Sequence, residues 1–120
     1  MIRAFLLAIF IATAQAGTYQ NPIVSGFAPD PSVCRVGGDF YLANSSFTMF
    51  PSLPVYHSKD LVNWKLIGYG GTRDEQTPLK GRGFNSGVWA PTIRHHDGTF
   101  YLVVKNQAAR EHILLKSKDP

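Results

Sequence analysis

Pro31-Ser32-Val33, followed by Gly38, Phe40, Tyr41 and Leu42, returns 60 residues later as Pro91-Thr92-Ile93, followed by Gly98, Phe100, Tyr101 and Leu102. Ser58-Lys59-Asp60 returns as Ser117-Lys118-Asp119, at an offset of 59. One shared tripeptide would carry little weight. Ordered matches at a nearly constant offset imply one supersecondary unit used twice, and this restricts the folds open to the chain more than any other feature of it.

The unit reads as β-structure. Helical periodicity is nearly absent, and short apolar or alternating runs are punctuated by Gly, Pro, Asn and Asp from residue 22 onward. Val33 to Val36 and Phe40 to Ala43 are strand candidates joined by Gly37-Gly38-Asp39, and Ile93 to His96 and Thr99 to Lys105 are joined by Asp97-Gly98. Both joints are hairpin signals, because Gly and Asp-Gly accept the positive φ that tight β-turns require. Val55 to Ser58 and Lys65 to Tyr69 supply two further strands across Asp60-Leu61-Val62-Asn63, and Gly70 to Gly87 reads as a long surface loop. A unit of about four strands used in series is the pattern of a β-propeller, which closes with typically 4 to 8 blades. The sequence holds one complete unit and most of a second. The expectation is therefore an all-β chain that is part of a propeller and is truncated within the second blade. The rival is a small β protein with an unpaired strand edge, which is an aggregation liability.

Composition agrees with a folded chain and narrows its setting. At 120 residues, 44% hydrophobic and 17% charged, it is not a disordered tail and has room for one domain. Residues 1–16 read as a secretory signal peptide: Arg3 in a charged start, an apolar run from Ala4 to Thr13, and the small-x-small site Ala14-Gln15-Ala16. The expected mature domain is 17–120, secreted to the extracellular space. No later stretch approaches the about 20 apolar residues of a membrane span, so a membrane role is not expected. With Arg3 removed, 11 basic against 8 acidic side chains leave a modest +3, spread along the chain, which gives nucleic-acid binding no support. Cys34 is the only cysteine, which excludes an internal disulfide framework and suits a small buried hydrophobe.

A repeat also separates architecture from chemistry, since a chemically odd departure in one unit is a candidate site. Asp30 is such a departure: its counterpart is Ala90. Flanked by Pro29 and Pro31 at the start of the first strand, Asp30 would ordinarily read as a turn former. The contrast with Ala90 favours a carboxylate placed to activate water as a general base. Phe47 and Trp89 lie at strand ends of the two units and would face a common mouth. They serve either as platforms for the C–H faces of sugars or as packing between blades. Trp64 lies in the outer-strand region and reads as packing. His95-His96 resembles a metal pair, but neighbours in a strand point to opposite faces, and no ligand set surrounds them, so no metal is expected. No phosphate-binding loop, Gly-x-Ser-x-Gly or Cys-x-x-Cys occurs, and no cofactor is expected. Asn44-Ser45-Ser46 fits the N-glycosylation pattern but abuts the proposed mouth, and it reads as a plain strand-end Asn.

These motifs occur with Asn21-Pro22-Ile23, Gly26-Phe27-Ala28-Pro29-Asp30-Pro31-Ser32, Ser46-Phe47, Phe50-Pro51, His57-Ser58-Lys59-Asp60-Leu61-Val62-Asn63-Trp64 and Gly87-Val88-Trp89-Ala90-Pro91. In that order and spacing they resemble the N-terminal part of glycoside hydrolase family 43, the β-xylosidase and α-L-arabinofuranosidase family. The resemblance implies a five-bladed β-propeller of which these residues form about the first two blades. It also implies inverting hydrolysis of bonds in xylan, arabinoxylan or arabinan. By the same resemblance Asp30 matches the general base, Phe47 a wall of the terminal-sugar pocket, and Trp89 a substrate-lining aromatic. The family's pKa-tuning Asp and general-acid Glu have no counterpart here: Asp97, Glu111 and Asp119 stand in the wrong motif context, and Asp74 and Glu75 lie in the loop. The rival function is a non-catalytic secreted carbohydrate-binding protein, with Phe47 and Trp89 holding sugar and Asp30 accepting a hydrogen bond.

Overall fold

The computed structural model describes residues 17–120, so the expected signal peptide, 1–16, lies outside the described residues. Among the described residues, seven strands form two antiparallel sheets. The first sheet has the order β1 (Ser32–Val36), β2 (Asp39–Ala43), β3 (Ser52–Ser58), β4 (Lys65–Gly71), and the second β5 (Val88–His96), β6 (Thr99–Asn106), β7 (Glu111–Ser117). Each sheet is a meander in which chain order is spatial order.

The repeat is reproduced in the registers. Val33 pairs with Leu42 as Ile93 pairs with Leu102, and Cys34 with Tyr41 as Arg94 with Tyr101. Across the next pairing the offset becomes 59: Phe40 faces Ser58 as Phe100 faces Ser117, and Leu42 faces Tyr56 as Leu102 faces Leu115. The hairpins behave as their glycines and Asp97 require, with positive φ at Gly37 (61°), Asp97 (46°) and Gly98 (66°).

The sequence-based strand limits need correction in three places. β3 begins at Ser52 instead of Val55, and β5 begins at Val88 instead of Ile93, which puts Trp89 inside a strand. The segment from Gly70 to Gly87 is not wholly a surface loop: Gly70 and Gly71 complete β4, Phe84–Ser86 forms one 3-10 turn, and Thr77 and Leu79 are buried. A single Leu in a polar run carries no periodicity, so its burial is invisible to pattern reading. β7 is not among the strand candidates read from the sequence, although the return of Ser58-Lys59-Asp60 as Ser117-Lys118-Asp119 marks its end.

The core joins the sheets. Ala43, Leu53 and Val55 of the first pack with Val88, Ile93, Phe100, Leu102 and Val104 of the second, and Leu79 closes over them from the loop. In β6 alternate residues from Phe100 to Asn106 are buried, as expected of a strand with one face inward. The Tyr41 and Phe100 rings meet edge to face at 4.9 Å, and the Ile93 amide donates to Ser32 Oγ at 3.1 Å. Cys34 packs against this core, and burial pushes its thiol pKa up against a smaller lowering by Arg94. It is a packing residue and not a thiolate nucleophile.

Candidate active site

The antiparallel order places the segment before β1, the β2–β3 loop, the β4–β5 loop and the start of β5 at one end of the two sheets. Asp30 enters β1 there. It is exposed, and its Oδ2 accepts a hydrogen bond from Ser45 Oγ at 2.7 Å. Ser45 Oγ in turn accepts from the Ala90 amide at 2.6 Å. The backbone beneath the carboxylate is clamped as well. Asn44 Nδ2 donates to the carbonyls of Ala28 (3.0 Å) and Pro29 (3.1 Å), and the Ser45 amide donates to Pro29 O (3.1 Å). Asn44 and Ser45 are each only 1% exposed, so both are fixed parts of the structure. This disposes of Asn44 as a glycan carrier: its amide nitrogen is buried and engaged.

Backbone conformation bears on the turn-former reading of Asp30. Asp30 has φ 51° and Ala90 has φ 45°, so the repeat imposes a left-handed residue at this position in both units. Aspartate tolerates that conformation better than alanine does, yet the second unit adopts it with a plain methyl. This backbone conformation therefore does not require a carboxylate.

Phe47 and Trp89 come together as the sequence suggested, with ring centroids 5.8 Å apart. Phe47 bridges the sheets through its backbone: its amide donates to Val88 O (3.2 Å) and its carbonyl accepts from Val88 N (2.9 Å). Gly87 permits this approach, since a Cβ there would overlap the Phe47 carbonyl. Two further aromatics complete the group. Phe84 stacks on Phe47 at 5.1 Å with planes 8° apart, and Phe27 meets Phe47 edge to face at 5.5 Å. Phe27 and Phe84 are about half exposed, at 50% and 52%, so the cluster leaves aromatic surface uncovered. Lys105 Nζ stands 6.0 Å over the Trp89 ring.

Sequence reasoning missed Phe27, Phe84, Asn44 and Ser45. Three of them carried the signal that found Asp30: the counterparts of Phe27, Asn44 and Ser45 are Gly87, Val104 and Lys105, each a chemical departure. Phe84 lies in a loop with no repeat partner and had no such signal.

The other titratable groups lie elsewhere or are occupied. Asp39 binds Lys59 (2.6 Å) and His57 (2.5 Å) at the hairpin end, and these partners, Lys59 first, hold its carboxyl below the usual range. Glu111 accepts from Asn106 Nδ2 at 3.4 Å. The His95 ring packs 4.7 Å from Phe100 while His96 lies 3.3 Å from Asp97, so the two histidines do not converge. Among the described residues no three metal-ligating side chains cluster. Trp64 donates its indole N–H to Leu61 O at 3.0 Å, a structural role in the β3–β4 turn. Among the described residues, concavities of about 420 and 470 Å³ open on the surface, and Asp30, Phe47 and Trp89 line neither of these. The site is an open face of aromatics beside a carboxylate.

Comparison with known proteins places this geometry. Residues 19–120 match the description of glycosyl hydrolases family 43. The chain belongs to family 43. A non-reducing end α-L-arabinofuranosidase of Bacteroides ovatus is 56% identical over 94 residues, covering 78% of this chain and 18% of that protein. A xylan 1,3-β-xylosidase of Vibrio sp is 48% identical over 89 residues, covering 74% of this chain and 17% of its own length. Among solved family 43 structures, Bacteroides ovatus Xyloglucan PUL GH43B superposes with a TM-score of 0.80 at 51% identity, over 85% of this chain and 21% of that one. The two sheets are thus blades from the N-terminal part of a family 43 five-bladed propeller, and the chain spans 17 to 21% of the length of these three matches.

Proposed function

We propose that this chain supplies the first two blades and the general base of a secreted glycosidase that cleaves xyloside or arabinofuranoside bonds with inversion. The single observation carrying the catalytic reading is Asp30. It is an exposed carboxylate where the repeat needs only an alanine, with Oδ2 engaged by buried Ser45, beside aromatics from both blades. The names of the relatives, an α-L-arabinofuranosidase and a β-xylosidase, support the substrate class.

In this reading the four aromatics present faces to the apolar side of a pentose ring and hold the sugar against the base. Asp30 takes a proton from a water whose oxygen attacks the anomeric carbon. The glycosidic C–O bond breaks on the opposite side, and a second carboxyl group, in another part of the complete gene product, gives its proton to the leaving oxygen. Inversion requires the two carboxyl groups to stand about 6.5 to 9.5 Å apart with water between base and sugar. A binding protein would use the aromatics equally well, with Asp30 accepting a hydrogen bond from the sugar; the match of residues 19–120 to a hydrolase family favours the catalytic reading.

The test is Asp30→Asn in the complete gene product. The amide keeps the shape and cannot accept the proton, so turnover of aryl xylosides and arabinofuranosides should fall by about 10² to 10⁴. The circular dichroism spectrum and sugar binding should be unchanged. Turnover near the wild-type rate would remove Asp30 from the reaction.

A further inference from the structure

We propose that Ser45 is a positioning residue for Asp30, holding the carboxylate in place by tying it to the backbone of the neighbouring blade; the inference rests on the reading of Asp30 as general base. The atoms leave Ser45 one arrangement. An amide N–H can only donate, so the 2.6 Å contact from Ala90 makes Ser45 Oγ an acceptor there. The hydroxyl proton is then spent on Asp30 Oδ2 at 2.7 Å. Ser45 is buried, so its hydroxyl is held from the side away from solvent while the Asp30 carboxylate stays open to it. The result is a continuous link, Ala90 N–H to Ser45 O–H to Asp30, that runs from the second blade to the first.

The repeat supplies an independent observation. Asp30 and Ser45 correspond to Ala90 and Lys105, so both members of the pair depart from the second unit together. In the second unit Lys105 is exposed, with its ammonium over the Trp89 ring, and Ala90 has no polar side chain to receive a bond. The same link joins the two halves of the site in space: Trp89 precedes Ala90, and Phe47 follows Ser45 by two residues. A shift between blades would therefore move the base and the aromatic surface together.

The experiment is a double-mutant cycle in the complete gene product, with kcat and KM measured on an aryl glycoside for wild type, Ser45→Ala, Asp30→Asn and the double variant. If Ser45 acts through Asp30, Ser45→Ala lowers kcat by about 10-fold or more, the scale of one hydrogen bond to a charged group, and leaves KM unchanged. In the Asp30→Asn background it costs no further kcat, because the group it positions is already disabled. A smaller loss of kcat, or the same fractional loss in both backgrounds, overturns the proposal and assigns Ser45 to structure. Where Ser45→Ala fails to fold, Ser45→Cys takes its place in the cycle, being nearly isosteric and a weak donor. Asp30→Asn retaining full turnover would overturn the general-base reading itself, an outcome distinct from a failure of the Ser45 arm.

Discussion

Asp30 and Ala90 occupy one backbone position in two blades, both left-handed, and differ in side chain: a carboxylate bonded to Ser45 against a methyl. Other residues of the site are decided by space instead of chemistry. At Gly87 a side chain would overlap the carbonyl of Phe47 and the amide of Thr48, both backbone atoms that cannot swing aside. Gly87→Ala must therefore push the Phe47–Val88 bridge apart, and it should destabilise the protein by about 3 kcal/mol or more. Gly83→Ala is the matched control: it has open space and an extended backbone at φ −68°, so it should be neutral or slightly stabilising. Denaturant unfolding of the two variants measures the difference, and equal midpoints would show that the blades can separate at this point without cost.

At the scale of the element, the β3–β4 turn shows how a polar run closes a hairpin. Asp60 Oδ1 accepts from the amides of Val62 (2.9 Å) and Asn63 (2.7 Å), Oδ2 accepts from Asn63 Nδ2 (2.7 Å), and Ser58 Oγ accepts from the amides of Asp60 and Leu61. The second unit begins its turn in the same way, with the Asp119 amide donating to Ser117 Oγ at 3.2 Å. These bonds, the Asn63 amide foremost, hold the Asp60 carboxyl well below the usual carboxylate range. The folded pKa is thus depressed relative to the unfolded chain. The stabilisation is complete above the unfolded value of about 4 and is lost as pH falls through the lower folded value. Asp60→Asn keeps an acceptor for the turn but removes the titration. The melting temperature of the variant should therefore fall less steeply than that of wild type on acidification below about pH 4. Parallel profiles would mean that Asp60 does not couple to folding.

For the whole molecule, the contact between blades is what makes a site of separate parts. The Phe47–Val88 bridge, the Ser32–Ile93 bond, the Ser45–Ala90 bond and the shared apolar core each cross from one sheet to the other. In the proposed reading, what they assemble is one half of an acid–base pair. Asp39 and Asp60 are engaged at the hairpin end, Asp97 lies beside His96, and Glu111 is bonded to Asn106, so no described contact brings a second carboxyl to Asp30. The 120 residues on their own should accordingly hydrolyse aryl xylosides and arabinofuranosides no faster than background, since absence of the proton donor alone forfeits about 10² to 10⁴ in rate. Assay of the purified, monodisperse chain settles it. Turnover abolished by Asp30→Ala would reveal an acid within these residues.

The sequence by itself determined what depends on neighbours along the chain. Alternation in β6, the turn residues Asp97-Gly98 and the offsets of 60 and 59 specify strands, hairpins and registers, because side-chain direction and turn conformation are set within a few residues. The same repeat exposed Asp30 by contrast with Ala90, and strand-end position brought out Phe47 and Trp89. Tertiary structure decided the rest. Leu79 is buried because a loop folds over two sheets, Phe84 reaches Phe47 across the β4–β5 loop, and Ser45 meets partners 15 and 45 residues away. Such contacts follow from the angle and spacing at which one blade packs on the next. That packing sums many apolar contacts from both sheets, so no local run of residues encodes which loop atoms will meet.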